Sequence, residues 1–267
     1  MRCAWTDLPP ELRSAIAAQT GTVSDTRTAP GGSNTAFAAT LTASARRVFV
    51  KAAPIRPDGQ DGPQVRALRR EAAVNPCLPD FAPRLLWTAE AGGWLAVGFE
   101  HVQARHADYQ PGSSDLHALT ALLHNLQETP RPVVVVMAVE RRWEPLADDA
   151  SAMAGDALLH TDLNPHNLLI SETGRAVAVD WAFASKGAPW VELCQVIPWL
   201  LRAGHQPAEA EAWARQFPSW TAAEPRAITQ HAILSAERWR RRHSAHASPG
   251  VHASLAVAQQ WAQHRLH

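Results

Sequence analysis

Residues 160–170 read His-Thr-Asp-Leu-Asn-Pro-His-Asn-Leu-Leu-Ile, so two histidines, an aspartate and two asparagines fall within eight positions before the chain turns apolar. Asp162 and Asn167 stand five apart, in the order His-x-Asp-x-x-x-x-Asn. A carboxylate and an amide oxygen at that spacing, on one loop, suit two different tasks. The carboxylate can accept or orient the proton of an attacking hydroxyl. The amide oxygen is a hard ligand for Mg²⁺.

Working outward, Asp180 closes the strand-like run Val-Ala-Val-Asp-Trp. Upstream, Lys51 lies in Val-Phe-Val-Lys-Ala, where apolar positions alternate as in a strand, and Glu71 lies in the helix predicted next. Further upstream, Gly31, Gly32, Ser33 and Asn34 read as a turn between strands. Each piece alone is common: Gly-Gly turns close hairpins, and a strand lysine usually faces water. Together they follow the order that phosphoryl transfer on a kinase-type fold requires. A glycine turn lets backbone N–H groups approach phosphates. A lysine offsets their charge, and an acid on the neighbouring helix holds that lysine in place.

The assignments follow. Asp162 is the expected catalytic base, and Asn167 and Asp180 are the expected Mg²⁺ ligands. Lys51 grips phosphates and pairs with Glu71, under a cover of Gly31, Gly32, Ser33 and Asn34. The adenine of ATP (or the base of GTP) is expected against Phe99, Glu100, His101 and Val102. The chain's cations support the choice of Lys51: of 25 Lys and Arg, the lysines are Lys51 and Lys186 alone, and a lysine kept against that bias suits a task arginine does not do.

The motif set resembles the aminoglycoside phosphotransferase and choline kinase-like family, which shares the protein-kinase fold. The 160–170 stretch is similar to that family's catalytic loop, and Val177–Phe183 (Val-Ala-Val-Asp-Trp-Ala-Phe) to its metal-binding stretch. Thr161 stands where protein kinases have arginine, and Trp181-Ala182 where they have Phe-Gly. The chain from Asp180 to the next helix is too short for an activation segment. The resemblance therefore implies a small-molecule kinase. It covers roughly residues 25–200, and the helices that follow are expected to shape the acceptor site. Glu192 occupies the start of a helix where such enzymes often carry aspartate, and is read as its structural substitute.

The rest of the chain fits an α+β, two-lobed reading: a small antiparallel-sheet lobe (residues 1–101) and a larger helical lobe (102–267). Helices are expected over 189–203, 207–216, 224–245 and 250–265, the first buried because it is apolar nearly all round. Asp115 is expected to cap a helix that follows it. The run 133–143, Val-rich at its start and charged at its end, has strand propensity first and helix propensity later. Cys3, Cys77 and Cys194 have no metal or disulfide spacing and read as free, mostly buried thiols. His160 is expected to order the loop, His166 to be exposed, and Lys186 to be a solvated loop residue.

Formal net charge is zero and no apolar run reaches membrane-spanning length, so no nucleic-acid or membrane partner is expected. No obligate protein partner is evident, and a cytoplasmic location is expected. The basic run 238–243 reads as a solvated helix face. From residue 151 onward there are nine acids and ten Lys or Arg. That balance argues against a pocket for polycationic antibiotics. The expected activity is Mg²⁺-dependent transfer of the γ-phosphate of ATP (or GTP) to a hydroxyl of a small molecule; the alternative is an inactive, nucleotide-binding pseudokinase with a regulatory or scaffold role.

Overall fold

A computed structural model describes residues 2–29, 35–44 and 46–267. Gly31, Gly32, Ser33 and Asn34 lie outside the described residues. The chain divides into two compact units: one runs to Arg105 and includes Val177–Phe183, and the other comprises His106–Ala176 and Ala184–His267.

The first unit is built on β1 (Val23–Thr28), β2 (Phe37–Ala43), β3 (Arg46–Pro54), β4 (Leu85–Ala91) and β5 (Trp94–Glu100), with α1 (Pro10–Thr20) and α2 (Pro63–Val74). The sheet order is β1-β2-β3-β5-β4, antiparallel throughout. Alternation on β3 sorts its side chains. Val48, Val50 and Ala52 join Leu12, Ile16, Phe37 and Leu41 in one buried cluster, with α1 supplying the first two. Ala53 joins Val65 and Leu68 of α2, and Leu95, Val97 and Phe99 of β5, in another. Lys51 shares the second face, so it is buried, not solvated. Gly92 and Gly93, both with positive φ, make the tight β4–β5 turn. Opposite Trp87 the sheet needs Gly98, because a Cβ there would collide with the indole ring.

The chain enters the second unit within β6 (Ala104–His106). That unit holds α3 (Asp115–Glu128), β7 (Ala157–Leu159) and β8 (Leu168–Ser171); β9 (Ala176–Ala178) carries the chain back into the first unit, and β10 (Ser185–Gly187) returns it. Then follow α4 (Trp190–Arg202), α5 (Pro207–Ala214), α6 (Pro218–Thr221), α7 (Pro225–Ala245) and α8 (Pro249–Leu266). As its composition requires, α4 is buried along most of its length, from Trp190 to Leu201. Pro198 lies inside it. At its side, His231 of α7 is packed among Trp143, Trp190 and Trp261, and burial pushes its pKa down to about 3, so it is neutral.

Several details depart from the sequence reading. The Val-rich start of the run 133–143 forms no regular strand: Val133, Val134 and Val136 are exposed, while Val139 N–H donates to Lys186 O and Lys186 N–H to Met137 O; its charged end is a short 3-10 helix, Glu140–Arg142, in line with the helix propensity read there. Lys186 therefore sits in β10, half-buried, rather than in a solvated loop. Asp115 is the first residue of α3, not its cap; its carboxylate accepts from Asp108 N–H, tying down the incoming loop. Only Cys194 is buried; Cys77 is exposed and Cys3 half-buried. Among the described residues, no helix is long and apolar enough to cross a membrane.

Candidate active site

In the first unit, Lys51 sits on β3 and Glu71 on the buried face of α2. The Lys51 ammonium donates to both Glu71 carboxylate oxygens at 2.8 Å and to Asp180 Oδ1 at 3.1 Å. Burial pulls the lysine pKa down, but Glu71 and then Asp180 outweigh it, and the net shift is upward. Glu71 is itself raised, by burial first, with Lys51 opposing. Trp181 N–H donates to Glu71 Oε1, which ties α2 to the residue after Asp180. Trp181 is fully buried, stacks on Phe81 and donates its indole N–H to Ala178 O. Asp180 holds φ 68°. Aspartate tolerates this left-handed region, and the packed Trp181 fixes it there.

In the same unit Glu100 ends β5, its N–H donating to Arg84 O, and Phe99 is buried. His101, Val102 and Gln103 leave the sheet without regular secondary structure.

In the second unit, the loop between β7 and β8 carries Asp162 and Asn167. Asn167 Nδ2 donates to Asp162 Oδ2 and to its backbone oxygen, both at 2.9 Å. Asn164 Nδ2 donates to Asp162 Oδ1 at 3.0 Å, while Asn164 Oδ1 accepts from the N–H groups of His166 and Asn167. Two amides thus hold the Asp162 carboxylate as an acceptor. Asn167 keeps its Oδ1 without a protein donor among the described residues. That oxygen and the Asp180 carboxylate are the hard donors Mg²⁺ prefers, so these residue types fit the ion, each within its own unit.

The backbone before Asp162 is strained. Thr161 is β-branched yet holds φ 69°. Glu192 and Arg142 hold it, and His160 holds the residue that follows. Both Glu192 carboxylate oxygens accept from Thr161 N–H, at 2.9 and 3.1 Å. Arg142 donates to Thr161 Oγ1 at 2.7 Å and to Ser185 Oγ at 2.8 Å. His160 Nδ1 accepts from Asp162 N–H at 3.2 Å, the ordering role read for it from sequence. His166 is exposed, edge-on to His106.

Glu192 is fully buried, and burial raises its pKa to about 7 even though the backbone N–H groups of Thr161 and His160 draw it down. An acid whose folded pKa exceeds its unfolded value loses stability as pH rises between the two. In urea unfolding, replacing Glu192 by Gln is therefore expected to gain about 2 kcal/mol on wild type between pH 5 and pH 8. A difference that stays flat across that window would show that Glu192 is ionised throughout.

The structure thus gathers Lys51, Glu71 and Asp180 in one unit and Asp162 and Asn167 in the other's loop; the sequence boundary at 101/102 puts Asp180 in the helical lobe, whereas Val177–Phe183 returns to the first unit. Sequence reasoning missed Asn164 and Arg142. The Asn-Pro pair at 164–165 was a readable turn signal for the first; nothing local marked the second.

A sequence model of the phosphotransferase enzyme family (APH) matches residues 138–228, which include the loop, Asp180 and α4. No curated protein sequence matches the chain. Among solved structures, a choline kinase from Streptococcus pneumoniae is similar over 94% of this chain and 98% of its own, with TM-score 0.67 and 15% identity. A thermostable mutant of an aminoglycoside phosphotransferase, APH(4)-Ia, is similar over 95% and 97%, with TM-score 0.64 and 16% identity. A spectinomycin phosphotransferase solved with ADP and spectinomycin is similar over 94% and 93%, with TM-score 0.55 and 10% identity. At these identities the likeness is one of fold, and the α+β protein-kinase-like fold and the family resemblance read from sequence are borne out.

Proposed function

We propose that this chain, whose residues 138–228 match the phosphotransferase enzyme family and whose fold is protein-kinase-like, is a small-molecule kinase that moves the γ-phosphate of ATP (or GTP) to an acceptor hydroxyl. The observation that carries the proposal is the buried Lys51 ammonium held between the Glu71 and Asp180 carboxylates. A buried cation costs several kcal/mol to desolvate, and the partners that offset this cost also fix its position. A cation held in this way is what a polyphosphate needs to find in place.

In this reading Lys51 meets the α- and β-phosphates, with residues 31–34 over them and the base against Glu100 to Val102. Asn167 and Asp180 would hold Mg²⁺, which when bound offsets charge on the β- and γ-phosphates. Asp162, kept ready to accept by Asn164 and Asn167, takes the acceptor's hydroxyl proton. As the acceptor oxygen bonds to the γ-phosphorus, the bond to the β-bridging oxygen breaks and ADP leaves. Nucleotide handling then falls mainly to the first unit, which holds Lys51, Glu71 and Asp180, and acceptor handling to the second. The neighbour solved with ADP, and a choline kinase solved with AMP, support nucleotide binding at this fold's site.

The test is transfer of labelled γ-phosphate from ATP to a panel of hydroxylated small molecules, with Mg²⁺ and with chelator. Mg²⁺-dependent labelling of any acceptor supports the proposal. ATP binding with neither acceptor labelling nor hydrolysis would sink it in favour of the inactive, nucleotide-binding alternative.

A further inference from the structure

Thr161 is an unusual residue for its conformation. Among the described residues, Ser44, Thr161 and Asp180 are the non-glycine positions with positive φ, and of these Thr161 alone is β-branched. Elsewhere the chain meets the same need with glycine, as at Gly92, Gly93 and Gly174. What threonine adds over glycine is a hydroxyl, and that hydroxyl accepts from Arg142 Nη1 at 2.7 Å.

The guanidinium is itself braced. Arg142 Nη2 donates to Ser185 Oγ at 2.8 Å, and beside that bond Val139 N–H donates to Lys186 O at 2.9 Å. Trp143, the next residue, is buried against His231. Thr161 and Ser185 are buried too. A planar guanidinium fixed along two edges has little freedom left, so it holds what it touches.

The angle φ is a rotation about the N–Cα bond. Glu192 holds one end of that bond, through Thr161 N–H, and Arg142 holds the side chain carried by the other. Neither hold alone stops the rotation. Without the second, a β-branched residue relaxes to negative φ, because the left-handed region crowds its Cβ. The following peptide turns with it. That peptide carries Asp162 N–H, bonded here to His160 Nδ1 at 3.2 Å, and it sets where the Asp162 carboxylate begins.

We infer that Arg142 is a positioning residue for the proposed base: its grip on the Thr161 hydroxyl replaces the conformational freedom of a glycine and so aims Asp162. This rests on the phosphotransferase reading above and adds a residue to it.

Steady-state transfer of phosphate from Mg·ATP by the full chain tests it. Arg142→Met is expected to lower kcat about thirtyfold with KM for ATP within about twofold, since misplacing a reacting group costs rate rather than nucleotide binding. Thr161→Val keeps the Arg142 charge and the branched Cβ and removes only the hydroxyl; the same loss is expected. The double variant Arg142→Met, Thr161→Gly is expected to recover to within about threefold of wild type, because glycine adopts this φ without a grip. An arginine that only supported the fold would not be rescued in that way. Unchanged kcat in Arg142→Met, or a double variant as slow as the single one, overturns the inference. Amide hydrogen exchange over residues 158–163 reads the same hold without turnover. It is expected to be faster in Arg142→Met and slow again in the double variant; equal exchange in wild type and Arg142→Met also overturns the inference. The expected exchange pattern in a chain that transfers phosphate to no acceptor would instead count against the phosphotransferase reading.

Discussion

Replacing Asp162 by Asn is expected to slow phosphate transfer by about a thousandfold while ADP affinity stays within about twofold. The change keeps the size of the side chain and removes its ability to take a proton. The loop around it is built to hold an acceptor: Asn164 and Asn167 both donate to the carboxylate, at 3.0 and 2.9 Å. An amide at 162 keeps one of these bonds and turns its NH₂ toward another NH₂, so a small loss of stability accompanies the large loss of rate. Steady-state transfer rates with nucleotide affinities measured in parallel separate the two. A rate loss below tenfold would mean that another group takes the proton, and that Asp162 only orders the loop.

Replacing Lys51 by Met is expected to remove transfer altogether and to destabilise the chain by about 3 kcal/mol. Lys51 is buried between two acids and donates to both Glu71 oxygens at 2.8 Å. Without the ammonium, Glu71 keeps Trp181 N–H as a donor but loses the charge that opposes its burial. It is then expected to take up a proton more readily than in wild type. The double variant Lys51→Met, Glu71→Gln removes the orphaned acid and is expected to recover most of the stability and none of the activity. Urea unfolding of the three chains is the measurement. A single variant as stable as wild type would show that the pair contributes no net stability here. A double variant no more stable than the single one would place the loss in packing rather than in charge.

The parts of the site that were legible in sequence are those where local pattern and chemistry coincide. Alternation placed Lys51 on a strand, helical spacing placed Glu71 on the following helix, and the His-x-Asp-x-x-x-x-Asn spacing placed Asp162 and Asn167 on one loop. Alternation could not say which face of the sheet α2 would cover, so the burial of Lys51 needed the fold. Arg142 was invisible for the same reason. Its partners Thr161 and Ser185 lie far along the chain, and its own segment, 133–143, has conflicting propensities that long-range bonds to Lys186 resolve. Glu192 was read only as a structural substitute; its bonds to the strained Thr161 backbone give that substitution a task. The basic run 238–243 was legible as a solvated helix face: Arg238, Arg240, Arg241 and Arg242 are all exposed on α7, where Arg240 and Arg241 bond to Glu237.

The most direct test of a kinase-type nucleotide site is thermal stabilisation by ATP, GTP and their non-hydrolysable analogues, with and without Mg²⁺, on wild type and on Asp180→Ala. Asp180 is bonded to Lys51 and is one of the two proposed metal ligands. A shift of several degrees that needs both Mg²⁺ and Asp180 is the result this account predicts, since binding at about a hundred times Kd stabilises by about 3 kcal/mol. No shift with any nucleotide, or a shift equal in the variant and independent of Mg²⁺, would contradict it.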